Sequence, residues 1–134
     1  MKYLVGYSGS EESKAALSLA RTYAESFGAR VFVVASMGGG RSEKVENIGK
    51  AAHDLAFAEK FLKEKGVACE SHQLARGMSP GEDLVRFAVE HDIDQIFIGV
   101  EKVSRTQKII VGSNAQYIIL KAPCPVVTVK HYPK

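Results

Sequence analysis

The segment of this sequence best suited to chemistry is Gly112-Ser113-Asn114. A glycine and a hydroxyl residue opening a short helix leave backbone N–H groups unpaired, and the helix dipole adds positive potential there. Lys102, Arg105 and Lys108 precede it in one polar loop. Free donors beside cations and hydroxyls suit a phosphate. A plainer reading makes Gly112 a turn and Ser113 an N-cap, and residue types alone do not separate the two. A second small-residue turn, Ser8-Gly9-Ser10, follows the β-prone run Tyr3-Leu4-Val5. Clusters of this kind mark a tight strand-to-helix turn.

Other reactive residues form no constellation. His53, His72, His91 and His131 are scattered, without the HxxxH or HxxE spacing of a zinc site. Ser10 and Ser113 have no Ser-His-Asp arrangement and read as helix caps. Cys69 and Cys124 are far apart in sequence and read as packing residues rather than as a metal pair or a nucleophile. No loop pairs a metal-binding carboxylate with a positioned base, and Glu101 alone is insufficient. The expected protein is therefore not an enzyme, and no metal is expected.

These loops need elements to position them. Ala16, Leu19, Ala20, Tyr23, Ala24 and Phe27 recur at three- and four-residue steps, predicting a helix closed by Gly28. Val31 to Ala35 is a continuous apolar run, the pattern of a strand covered on both faces. A loop centred on Gly38-Gly39-Gly40 follows. Val45, Ile48, Ala52, Leu55, Ala58 and Leu62 predict a longer helix ended by Gly66, its many charges forming a solvated face. Val67 to Leu74 alternates weakly and predicts an exposed edge strand. Ser79, Pro80 and Glu82 form a capping-box start to a third helix, with Leu84, Val85, Ala88 and Val89 as its buried face. Gln95 to Val100 predicts the fourth strand. A short helix runs from Gly112 through Leu120, and Val126 to Val129 predicts the fifth strand. Strict β-α alternation implies an α/β fold: an open parallel sheet with helices on both faces. In such sheets ligands bind beyond the carboxyl ends of the strands, where the strand order reverses.

The 134 residues fit a single domain, 1–134. A formal net charge of +3 with interleaved signs argues against general nucleic-acid binding. No apolar run approaches the roughly 20 residues of a membrane span. With no export signal and no disulfide framework, the cytoplasm is the expected compartment.

Several segments together carry a resemblance. Tyr3-Leu4-Val5-Gly6-Tyr7-Ser8-Gly9-Ser10-Glu11 resembles the opening strand and turn of universal stress proteins. Gly99-x2-Lys102-x9-Gly112-Ser113 has the spacing of that family's nucleotide motif, G-x2-G-x9-G-[S/T]. Gly77-Met78-Ser79-Pro80 is similar to its glycine-proline turn, with one residue extra. Ala122-Pro123-Cys124-Pro125-Val126-Val127-Thr128-Val129 is similar to its closing strand.

The resemblance implies strand order 3-2-1-4-5, the adenine nucleotide alpha-hydrolase-like arrangement. It also implies a homodimer through Val126, Val127 and Val129, and a role in stress response. ATP or AMP would lie between the first and fourth strands. Tyr7 and Ser8 would lie beside the ribose and Val34 and Ala35 at the adenine edge, with Gly99, Lys102, Gly112, Ser113 and Asn114 along the phosphates. The sequence departs from the motif twice: Ser8 replaces the usual aspartate, and Lys102 replaces the second glycine. A nucleotide-free homodimeric interaction module of the same fold is the alternative.

Overall fold

The computed structural model describes residues 1–37, 45–100 and 111–131. Along the chain these form β1 (Lys2–Gly6), α1 (Glu11–Phe27), β2 (Arg30–Ser36), α2 (Val45–Lys63), β3 (Cys69–Leu74), α3 (Pro80–Glu90), β4 (Gln95–Gly99), α4 (Ser113–Lys121) and β5 (Val126–Val129). All strand pairs are parallel, and the order is β3-β2-β1-β4-β5. The expected fold class and strand order therefore hold. The third strand starts at Cys69 rather than Val67 and lies at an edge, half-buried along most of its length.

Local chemistry accounts for the element ends. The Ser10 side chain accepts from the Ser13 N–H to start α1, and Gly28, at φ 65°, ends it in the left-handed region that glycine enters freely. Ser79 caps α3 by accepting from the Glu82 N–H, and Pro80 fills the first helical position.

Strand side chains alternate between two core layers. Tyr3, Val5, Tyr7, Val31, Val33, Ala35 and Phe97 pack under α1 and α2. Leu4, Phe32, Val34, Ile96 and Ile98 pack against α3 and α4 with Leu84, Phe87, Ala88 and Ile118. Three helix faces differ from their sequence reading. On α1, Leu17 is buried and Phe27 is 65% exposed. On α3, Phe87 is buried and Val89 is 59% exposed. On α2, Leu55, Ala58 and Leu62 are buried, whereas Ile48 and Ala52 are exposed. Cys69 packs at the rim of the first layer and Cys124 at the rim of the second; burial pushes both thiols up from their ordinary pKa.

Candidate functional site

The sheet opens where its winding reverses. β1 pairs with β2 as far as Gly6 and Val34, but with β4 only as far as Val5 and Phe97. Beyond that point β1 and β4 diverge, and a cleft of about 360 Å³ lies at their carboxyl ends. Gly6, Tyr7, Ser8, Ser10, Glu12 and Ser13 line it from β1 and the start of α1. Val34 and Ser36 line it from β2, and Ile98 and Gly99 from β4. Pro80, Leu84, Asn114, Ala115 and Ile118 close it from α3 and α4.

The turn after β1 is held by hydroxyls. The Ser8 N–H donates to Ser13 Oγ at 3.3 Å, and Ser8 Oγ donates to Ser10 Oγ at 3.0 Å. Ser13 Oγ in turn donates to the Ser10 carbonyl at 2.9 Å. From α2, Lys50 Nζ reaches the Ser8 carbonyl at 3.1 Å and Asp54 Oδ2 at 2.7 Å. Gly9 takes φ +78° and lies against the Asp54 carboxylate, where a Cβ would fall within 2.9 Å of three of its atoms. Tyr7 sends its ring into the first core layer while its N–H donates to the Val34 carbonyl at 2.9 Å. Burial, then the charges of Asp54 and Glu11, push its phenol up to about 12.

The far wall joins two helix starts. Asn114 Oδ1 accepts from the Gly81 N–H at 3.0 Å, and a Cβ on Gly81 would fall 2.9 Å from the Asn114 carbonyl oxygen. Gly112, not Ser113, is the N-cap of α4, and no side chain caps that helix. Ser113 is its first helical residue, which corrects the cap reading. On α3, the buried carboxylate of Asp83 joins an ionic group that reaches the surface. Asp83 accepts from Ser36 Oγ at 2.7 Å and from Arg76 Nε at 2.6 Å, and Arg76 also reaches Glu90 at 2.7 Å. The hydrogen bond from Arg76 holds the Glu90 carboxyl below its usual pKa.

The fold thus brings together Tyr7, Ser8, Val34, Gly99 and Asn114 along one cleft. Ala35 turns its side chain to the opposite core layer, and Gly112 and Ser113 stand beside the cleft rather than in its lining. Lys102, with Glu101, Ser104, Arg105 and Lys108, lies outside the described residues, as does the Gly38-Gly39-Gly40 loop. Ser36 and Arg76 fall in the segments Ala35 to Ser42 and Ala75 to Ser79, which follow strands and are candidate ligand loops by sequence, but sequence reasoning does not single them out; it misses Asp83 and takes Lys50 for part of a solvated face. Among the described residues, no group of three or more His, Cys, Asp or Glu is arranged to hold a metal ion.

A parallel sheet in the order 3-2-1-4-5, with a cleft at the switch between its first and fourth strands, defines a doubly wound α/β binding fold. The universal stress protein family model matches residues 1–130, and the chain belongs to that family. A universal stress protein of Archaeoglobus fulgidus is 37% identical with a TM-score of 0.88, the match covering 96% of this chain and 97% of that one. An Archaeoglobus fulgidus universal stress protein in complex with dAMP is 33% identical, with a TM-score of 0.82 and 96% of each chain covered. A curated Thermus aquaticus universal stress protein, encoded in the 3' region of QAH/OAS sulfhydrylase, is 30% identical over 95% of this chain and 96% of its own length.

Proposed function

We propose that this protein binds an adenine nucleotide, ATP or AMP, in the cleft between β1 and β4, and works as a regulatory binding module rather than as an enzyme. The divergence of β1 from β4 after Val5 and Phe97 carries the reading, because it opens a ligand-sized cleft at the switch point. The dAMP complex of a relative 33% identical over nearly the whole chain supports it. The base lies toward β2, at the Val34 backbone and the neighbouring Ala35. The ribose lies over Tyr7 and Ser8. The phosphates run past Gly99 toward Gly112, Ser113 and Asn114, where the start of α4 offers donors free of any side-chain cap. Lys102 supplies charge in place of the family's glycine.

The test is direct. Purified protein is denatured and the released small molecules are analysed, and titration calorimetry with AMP and ATP measures affinity. Saturable binding supports the reading. No carried nucleotide and no binding at millimolar concentration would leave the alternative, a nucleotide-free interaction module. Glu12, which lines the cleft, favours that alternative, because an acidic residue there disfavours an unscreened phosphate.

On either reading we infer a cytoplasmic homodimer formed through β5. β5 pairs with β4 on one side and is the last strand of the sheet on the other. Val126, Val127 and Val129 remain half-buried, and Leu120 on the preceding helix is 77% exposed. An apolar edge strand invites pairing with a second chain.

A further inference from the structure

We propose that Ser36 reads the base in this cleft as a hydrogen-bond acceptor, and that buried Asp83 fixes it in that role. The inference rests on the nucleotide reading above and specifies what that site selects. Ser36 ends β2 and lines the cleft, to which Val34, Leu84 and Pro80 also contribute apolar lining. Walls of that kind suit a flat base better than a phosphate.

The direction of the Ser36 hydroxyl follows from proton counting. Asp83 is 0% exposed and ion-paired with Arg76, whose Nε lies 2.6 Å from its other carboxylate oxygen. Arg76 is held in turn by Glu90 at 2.7 Å. A carboxylate paired to a guanidinium only accepts, so the 2.7 Å contact with Ser36 must use the serine's single proton. What remains for the cleft is lone pairs. A ligand group meeting Ser36 must therefore donate, and the exocyclic amine of an aminopurine does so. Ser36 is a specificity residue on this account, and Asp83 a positioning residue that acts through it.

The experiment compares AMP with purine riboside 5′-monophosphate, which lacks only the amine, by calorimetry. The parent protein should prefer AMP by about two- to twelvefold, the worth of one net hydrogen bond. In Ser36→Ala the ratio should fall to about one, and in Ser36→Thr, which keeps the hydroxyl, the preference should persist. Asp83→Asn must turn its carbonyl to Arg76, so its amide donates to Ser36 and frees the hydroxyl proton toward the cleft; the ratio should fall there too. A merely structural role would weaken both ligands alike and leave the ratio unchanged. If the parent binds AMP without preference, or Ser36→Ala keeps the parent's ratio, this proposal is overturned while the nucleotide reading stands. If the parent binds neither AMP nor ATP, both fall; if it binds ATP alone, the same comparison is made between ATP and purine riboside 5′-triphosphate. Should Asp83→Asn fail to fold, the two Ser36 variants decide alone.

Discussion

Gly99, the last residue of β4, lies directly against the start of α1: a Cβ at this position would fall 2.5 Å from the Glu12 carbonyl oxygen and 2.6 Å from the Glu12 Cβ. The first glycine of the nucleotide motif is therefore required by packing, whatever the ligand does. Backbone cannot swing aside as a side chain can.

Gly99→Ala should accordingly lower stability by about 1–3 kcal/mol, the usual range for overpacking. Urea unfolding of the ligand-free protein measures it. A variant as stable as the parent would show that α1 moves away freely, and the role of Gly99 would then be confined to the ligand.

Ser8→Asp should strengthen nucleotide binding by about two- to thirtyfold by restoring a charged acceptor on the ribose side; a hydrogen bond to a charged group is worth roughly 1.5–3 kcal/mol against about 1 kcal/mol for a neutral one. The new carboxylate also sits near the positive end of α1, and Lys50 Nζ already contacts the Ser8 carbonyl at 3.1 Å. In the parent, magnesium should change affinity little, since Ser8 brings no charge to organise a metal. Calorimetry with and without magnesium checks both points. Strong magnesium dependence in the parent would implicate Glu12, an acidic residue that lines the cleft.

Alkaline stability should report Tyr7. Burial raises its phenol from 10.0 to about 12 in the folded chain, so folding favours the neutral form. Its contribution is complete below the unfolded pKa and is lost as pH rises from 10 through about 12. Tyr3 is shifted in the same direction, with burial the largest cause. Denaturant midpoints should thus fall steeply above pH 10, and Tyr7→Phe should flatten part of that fall. An equal slope in the variant would assign the effect elsewhere.

The dimer has its own test at Thr128. The Pro125 carbonyl accepts from Ile96 on β4, and the Val129 carbonyl accepts from Val100 just beyond it. Backbone groups alternate sides along a strand, so those of Val126 and Thr128 point to the open edge. Thr128→Pro should remove an outward donor, leave the β4 ladder whole, and shift sedimentation from dimer to monomer. A parent that sediments as a monomer at micromolar concentration would sink the assembly.

The sequence disclosed the strand-helix alternation because the small-residue turns and the capping box at Ser79 are local signals. The contents of the cleft were harder to read, and α3 shows why. Counting Val89 into its buried face instead of Phe87 rotates the helix and hides Asp83, which shares a face with Phe87 four residues on. A first-turn acid also has a sufficient local explanation in the helix dipole, so nothing nearby flags it as buried. Its partners, Ser36 on β2 and Arg76 after β3, meet it only once the sheet is assembled. Lys50 is similar: on α2 it looks like any solvated charge, and only the crossover brings it to the Ser8 carbonyl.

The central position of β1 also shapes how the chain is made. Its first neighbour, β2, follows closely, but Tyr3 pairs with Gln95 on its other side, 95 − 3 = 92 residues later. At roughly 5–20 residues per second, a growing chain holds that edge open for about 5–18 seconds. An unpaired Leu4-Val5 edge is a template for pairing with the wrong strand. Of the strand edges that the chain itself covers, the β4-facing edge of β1 is thus left open longest during synthesis, and substitutions that delay β4 should show first as lost yield of soluble protein, before any change in the finished fold.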